Sequence, residues 1–324
     1  MIYKISFFST LMLGSLISIS SYSWFTLWLG LEINLLSFIP LLNFHKNINS
    51  SESSMKYFII QAISSFIFIT FLIFKMENFS FSNMFMNLAL LTKMGASPYH
   101  FWMPEICESL SWLNNMILAT WQKLTPSILL MYFFFEKMIV ISIIFSIMIG
   151  SLLSFNQNKL RKILIYSSIN NIGWMLILIM YNKSLWIMYF LIYSLLTINL
   201  MMIFYLTQLF FIPQLNMKLN NKFLKLMIML LFLSLSGLPP FIGFLPKWMT
   251  INLMMNYNNL MISLYMILLT LPLIYVYMRL TLNSLIFYFP MFKINNQLNN
   301  LMISFLTSLN LMMIYMISFF NNKF

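Results

Sequence analysis

An all-α polytopic membrane protein is the fold class this sequence predicts, and three observations predict it. The 324 residues are 61% hydrophobic and only 7% charged, with a mean hydropathy of +0.87. A water-facing domain needs roughly a quarter of its residues charged. Apolar stretches of about 20 residues, the length that crosses a bilayer, recur along the whole chain. The connectors between them are too short to hold a soluble domain, so residues 1–324 read as a single transmembrane domain.

Eleven segments meet that ruler. The first, 5–20, follows Lys4; it has the shape of a signal peptide but fits as the first of many spans, which is how we read it. The second, 24–42, holds "LGLEINLLSFIPLL" (29–42), with Glu32 near its middle. A polar connector, "NFHKNINSSESS" (43–54), leads to the third, 55–74. The fourth, 83–104, contains "KMGASPYHFWMP" (93–104), and the fifth, 116–135, contains "TWQKLTP" (120–126). The sixth, 138–155, is joined by "NQNKLRK" (156–162) to the seventh, 163–181, which carries the polar cluster "SSINNIGW" (167–174). The eighth, 185–212, ends at "PQLNMKLNNK" (213–222), and the ninth, 223–255, contains "GLPPFIGFLPKW" (237–248). The tenth and eleventh are 260–283 and 300–320.

The fourth and ninth segments combine Gly and Pro at membrane depth. A helix-interior proline costs about 3 kcal/mol, and non-helical backbone at that depth persists only when buried in protein or lining a watery cavity. Both are therefore expected to be broken helices. They lie five segments apart. Two five-helix repeats, about 5–135 and about 138–283, would each break at their fourth helix, and an odd number of spans turns the second copy over. That inverted layout marks the transport site of ion-moving membrane proteins. The eleventh segment, about 300–320, is left as a trailing helix.

The charge excess of +12, 18 basic against 6 acidic residues, fits basic loops on the negative side of a membrane better than a nucleic-acid surface, for which no polar basic domain exists. On alternating sides, Lys75, Lys137, Lys183 and Lys323 fall opposite eleven other basic residues that share the N-terminal side. This asymmetry places the N-terminus on the matrix or cytoplasmic side. Every acid is Glu, Ala and Val are scarce, and there are 31 methionines. That usage points to an AT-rich, organellar coding sequence, with a small AT-rich bacterium as the alternative.

Four ionisable residues sit within spans away from their ends: Glu32, Lys93, Lys123 and Lys247. Each costs about 2.5–3.5 kcal/mol at the bilayer centre on insertion scales, so a function is the default explanation. Burial disfavours the charged form of an amine and a nearby carboxylate restores it, so a Glu–Lys pair of changing separation takes up and releases a proton near neutral pH. Lys93 is the candidate partner of Glu32, Lys123 the relay and Lys247 the distal group. His100, after Pro98, is a candidate relay between Lys93 and Lys123, against the reading of a satisfied core histidine. Glu105 and Glu108 are expected at the aqueous boundary or against a neighbouring subunit. The polar cluster at 167–174 takes the place in the second repeat that Glu32 takes in the first, without a charge.

Other chemistry lacks its residues. With no Asp, no phosphate-cradling Gly loop and no dinucleotide fingerprint, the chain offers neither a hydrolase triad nor a nucleotide site. Cys107 is the single cysteine, which leaves no disulfide and no iron–sulfur cluster. Two histidines on separate segments make neither a zinc site nor a haem pair. No metal and no cofactor is expected in this chain.

The stretches 29–42, "KMGASPYHFWMPE" (93–105), "TWQKLTP", "RKILIYSSINNIGWM" (161–175) and "LSLSGLPPFIGFLPKW" (233–248) resemble the chain 2 family of mitochondrial NADH–ubiquinone oxidoreductase, the antiporter-like membrane subunits of respiratory complex I. The resemblance runs from about 24 to about 280, and the composition is similar to that of an insect mitochondrial product. It implies two inverted five-helix repeats plus a trailing helix, the key glutamate at Glu32 and charge-row lysines at Lys93, Lys123 and Lys247. It further implies proton pumping through a buried Glu/Lys row, driven by electron transfer from NADH to ubiquinone elsewhere in the complex. NADH, flavin, iron–sulfur clusters and ubiquinone would be bound by other subunits. The implied partners are the other membrane subunits, neighbouring antiporter-like subunits among them, and lipids; the implied location is the mitochondrial inner membrane. A freestanding monovalent cation/proton antiporter is the alternative, disfavoured because lysines repel cations. A structural assembly subunit is the third reading.

Overall fold

The computed structural model describes residues 2–43, 48–76, 82–133, 135–215, 222–239 and 241–286. The eleventh expected segment and His45 lie outside them. Among the described residues the chain is mostly helical, and seven helices are long and apolar enough to cross a membrane. The protein is an all-helical, multi-pass membrane protein. It divides into two compact units, Met1–Ser146 and Ile147–Phe324.

The first unit contains α1 (Ile2–Ser20), α2 (Trp24–Leu42), α3 (Ile48–Met76), α4 (Ser82–Met94), α5 (Trp102–Ser109), α6 (Trp112–Ala119), α7 (Trp121–Leu130) and the start of α8 (Glu136–Ser154). Its tightest crossing is α1 on α2, and small residues explain it. A methyl group on Gly14 would meet the Asn34 amide nitrogen at 2.9 Å, and one on Gly30 would meet the Ser18 amide nitrogen at 2.7 Å. Lipid gives no hydrophobic drive for helices to associate, so close backbone approach and van der Waals contact replace it. At the far end of α3, the Lys75 ammonium sits 3.7 Å from the Trp24 ring centre and 4.8 Å from that of Phe133. This cation–π seat ties α3 to the start of α2 and the end of α7.

The second unit runs through α9 (Leu160–Tyr181), α10 (Lys183–Thr207), α11 (Lys222–Ser236), α12 (Phe244–Asn256) and α13 (Leu260–Ile286). Helix α9 is buried around its whole circumference, the mark of a central helix; α10 and α12 pack on it, and α13 packs on α11 and α12. Gly150 repeats the Gly14 device, since a methyl there would stand 2.7 Å from both the Asn170 nitrogen and the Tyr166 oxygen. Asn182 caps α10 by accepting from the Ser184 and Leu185 amides at 3.0 and 3.3 Å, an N-cap of ordinary type.

Three local expectations need revision. The polar connector 43–54 is already helical from Ile48, and the helix tolerates its serines because their hydroxyls are satisfied on carbonyls three residues earlier, as Ser51 is on Ile48 at 2.8 Å. The fifth segment is not continuous: Thr120 interrupts it, with φ −117 and ψ −72 between α6 and α7. The two expected breaks exist, but proline does not make them. Each first half-helix is stopped by a glycine of positive φ, Gly95 at +68 and Gly237 at +78. In both, the glycine amide bonds back three residues and the next amide bonds back five, as Ala96 to Leu91 at 3.0 Å and Leu238 to Leu233 at 3.5 Å. That is a Schellman stop, after which prolines commonly follow.

A Gly30→Ala substitution should destabilise the first unit by about 1–3 kcal/mol, because it forces backbone apart rather than a flexible side chain. The thermal midpoint of the solubilised assembly should fall, and an unchanged midpoint would show that the α1–α2 crossing has slack.

Candidate functional site

Among the described residues three lysine side chains are buried: Lys93 at 7% exposure, Lys123 at 1% and Lys247 at 8%. Each stands at a helix interruption. Lys93 lies in the last turn of α4, two residues before Gly95. Lys123 lies in the first turn of α7, three residues after the break at Thr120. Lys247 begins in the first turns of α12 and reaches back to the end of α11, where its Nζ donates to the Ser236 carbonyl oxygen at 2.8 Å. A helix C-terminus leaves carbonyls without intrahelical donors and carries the negative end of the macrodipole. The Lys247 ammonium, placed there, meets both needs at once.

In the first unit, Glu32 occupies the middle of α2, half-buried, and its Oε1 is enclosed without a hydrogen-bond partner. Its charge acts through space on Lys93 and on the Tyr57 phenol. It does so without the contact ion pair that Lys56 makes with Glu52 at 2.9 Å and Glu105 at 3.1 Å. Helices α2 and α7 are joined beside it: Gln122 Nε2 donates to Asn34 Oδ1 at 2.9 Å, which fixes the neighbour of Lys123 against the neighbour of Glu32. Trp121 Nε1 donates to Ser15 Oγ at 3.2 Å, tying α7 to α1 as well.

The turn from α4 to α5 is closed by Trp102, whose Nε1 donates to the Thr92 carbonyl at 3.2 Å. His100 lies in this turn at 1% exposure, with Nδ1 3.3 Å from the Pro98 oxygen and Nε2 enclosed without a partner. Ser97 Oγ, Asn87 Oδ1 and Asn115 Oδ1 are enclosed in the same way. Buried polar atoms normally find a partner in protein or ordered water, so this concentration around the first break marks a polar interior. Helix α5 carries Cys107 to within electrostatic reach of Lys123. Glu105 is exposed and held by Lys56 at 3.1 Å.

In the second unit, Lys247 packs its stem over Gly237, where a methyl would meet its Cδ at 2.8 Å. Gly243 passes so close to Ser234 that no Cβ fits, which holds the two half-helices together. Lys247 borders a cavity of about 20 Å3 shared with Asn171, Tyr189, Tyr193 and Ser234, enough for a single water. Among the described residues no group of His, Cys, Asp or Glu could hold a metal ion.

Glu32 and Lys93, paired in the sequence reading, are thus brought within electrostatic range. The structure adds the break at Thr120, the Gln122–Asn34 bond, Cys107 beside Lys123 and the tyrosines beside Lys247. Thr120 and Gln122 lie in "TWQKLTP" and Asn34 in "LGLEINLLSFIPLL", stretches that the sequence singled out, whereas the tyrosines beside Lys247 carried no signal there.

The family described as NADH:quinone oxidoreductase/Mrp antiporter, TM, matches residues 21–272. NADH-ubiquinone oxidoreductase chain 2 of Anopheles gambiae is 46% identical over 307 residues, 92% of this chain and 88% of that one. The protein of that name from Aedes aegypti is 42% identical over 85% of this chain and 84% of that one. A chain in respiratory complex I from Thermus thermophilus shares the fold at a TM-score of 0.87 and 18% identity, covering 98% of this chain and 78% of that one. A chain in the Mrp complex of a Dietzia species follows at 0.76 and 14%, covering 84% and 58%.

Gly237→Ala should cost about 1–2 kcal/mol for left-handed backbone alone, and it should also push Lys247 off the Ser236 carbonyl. The thermal midpoint of the solubilised assembly would check this; an unshifted midpoint would mean that the second break does not need its glycine.

Proposed function

Since this chain belongs to the NADH:quinone oxidoreductase/Mrp antiporter membrane family, we propose that it translocates protons by way of Glu32, Lys93, Lys123 and Lys247, with His100 as a relay. The chain is an antiporter-like subunit of respiratory complex I and thereby part of NADH:ubiquinone oxidoreductase. The observation that carries the proton reading is that Lys93, Lys123 and Lys247, the lysines buried among the described residues, each stand at a helix interruption.

Each group has a defined part. Glu32 biases Lys93 electrostatically across a gap rather than through a contact pair, so a small change in their separation changes proton affinity at Lys93 strongly. Lys93 passes its proton through the polar turn at His100 toward Lys123. Lys247 holds its proton against the Ser236 carbonyl and exchanges it with the small cavity beside it. Moving a charge against the membrane potential costs about 2.3 kcal/mol per 100 mV. The redox groups that supply it, NADH, flavin, iron–sulfur clusters and ubiquinone, belong to other subunits in this reading, and this chain carries no cofactor. Its partners are the adjoining membrane subunits, antiporter-like neighbours among them, and lipids.

The same reading gives eleven spans as two inverted five-helix repeats and a trailing helix, in the mitochondrial inner membrane with the N-terminus toward the matrix. "LMLGSLIS" (11–18) and "IMIGSLLS" (147–154) recur at a spacing of 136 residues, the spacing that also relates Asn34 to Asn170. Gly14 and Gly150 press on those two asparagines in the same way. Both half-helix stops share one hydrogen-bond pattern. A freestanding cation antiporter fits less well, because three of the four groups are lysines and repel metal cations.

Lys93→Met or Glu32→Gln in the assembled complex should lower the number of protons pumped per electron, and, under tight coupling, NADH oxidation with it. Normal stoichiometry in both variants would sink the mechanism. His100→Ala should cause a milder loss, and full pumping would return His100 to a packing role.

A further inference from the structure

Helix α5, the second half of the first broken helix, is docked on α3 through two neighbouring contacts. Trp102 and Glu105, three residues apart and so on one face of α5, meet Tyr57 and Lys56. The Trp102 and Tyr57 rings stand edge to face with their centres 6.0 Å apart, and Lys56 Nζ donates to Glu105 Oε2 at 3.1 Å. The ion pair is solvent-exposed, and exposed pairs hold little. Trp102 and Tyr57 are both buried, so the aromatic contact carries the docking.

Three contacts converge on Trp102, and an indole serves them all. Its Cζ2 lies over Gly95, where a methyl group would stand 3.2 Å away, so the left-handed glycine that stops α4 also makes room for the ring. Its Nε1 donates to the Thr92 carbonyl at 3.2 Å, which already accepts from the Gly95 amide at 3.1 Å. Both lone pairs of that carbonyl, in the last turn of α4 beside Lys93, are thereby filled. The ring then leads through Tyr57 to Phe38, whose centre lies 5.2 Å from that of Tyr57. Phe38 belongs to α2, six residues after Glu32, or about 9 Å along the axis. Phenylalanine, abundant in this chain at 34 residues, would supply the ring without the donor. Resting on the function proposed above, we propose that Trp102 is a positioning residue for proton transfer, which sets the separation of Glu32 and Lys93 by bracing the end of α4 against α2 through Tyr57 and Phe38.

A contact ion pair fixes its own distance, whereas charges that interact across a gap depend on the frame that holds them. Glu32 and Lys93 are of the second kind. The helices packed most closely on α4 carry Glu52, Lys56, Tyr57 and Lys75 on α3 and Lys123 on α7, yet the charge that reaches Lys93 is that of Glu32 on α2. Tyr57 is within electrostatic reach of Glu32 as well, so the brace runs beside the pair it holds.

The test uses the assembled complex reconstituted in liposomes, with protons pumped per NADH oxidised measured across a range of pH. Trp102→Phe keeps a ring and loses the donor, and Tyr57→Leu removes the ring that joins α5 to α2. Each should lower pumping about threefold and move the pH of half-maximal pumping by about half a unit or more. Tyr57→Phe, which keeps the ring, should recover most of what Tyr57→Leu loses. In a Glu32→Gln background, Trp102→Phe should leave the pH profile where Glu32→Gln puts it, because the separation it sets no longer matters. An equal shift with and without Glu32 would overturn the proposal and return Trp102 to packing. So would a normal profile in both Trp102→Phe and Tyr57→Leu when Glu32→Gln is defective. If Trp102→Phe fails to assemble, Tyr57→Leu decides through the same comparison. Normal pumping in Glu32→Gln would instead overturn the proton reading on which the brace rests.

Discussion

An ammonium group resting on the open end of a helix is the arrangement on which the interior of this protein depends. Two costs meet there. A lysine at membrane depth costs about 2.5–3.5 kcal/mol, and a broken helix exposes carbonyls that hydrocarbon cannot satisfy. Lys247 on the Ser236 carbonyl shows how each offsets the other. Around it, the structure is arranged to make the break affordable: Gly237 supplies left-handed backbone, Gly243 lets the two half-helices touch, and α9 closes the side. At the first break the same tasks fall to Gly95, to Trp102 reaching back to Thr92, and to Lys56 holding α5 through Glu105.

The two units solve one geometric problem with different chemistry. Both cross their first helix pair at a glycine pressed on an asparagine, and both stop a helix with the same bond pattern. The first unit then places a carboxylate within electrostatic reach of its lysine, whereas the second surrounds its lysine with phenols and amides. A charge coupled to a charge responds to distance. A charge facing neutral donors and acceptors depends on hydrogen-bond connectivity instead. In the function proposed above, that difference in kind separates the group that senses a change from the groups that only transmit.

Packing around these sites relies on small residues and aromatics rather than on burial against water. The α1–α2 crossing rests on Gly14, Gly30 and Ser18, and the far end of the first unit rests on Lys75 held by Trp24, Phe71 and Phe133. In lipid, where apolar area gains nothing by being covered with another apolar surface, contact density and cation–π attraction do this work.

The residues alone determined that the chain spans a membrane several times, that 93–104 and 237–248 are broken, and that Glu32, Lys93, Lys123 and Lys247 are costly where they stand. Those conclusions follow from transfer free energies and backbone rules, which are local and need no neighbours. The Ser-rich start of α3, the interruption at Thr120, and glycine rather than proline as the stop of each half-helix were decided by hydrogen bonds that composition does not reveal. Lys247 finding Ser236, Gln122 finding Asn34 and the tyrosines gathering beside Lys247 join residues far apart in sequence or on separate helices. Only packed helices set those distances, because side-chain pairing across a membrane bundle depends on rotation and depth, and a hydropathy pattern specifies neither.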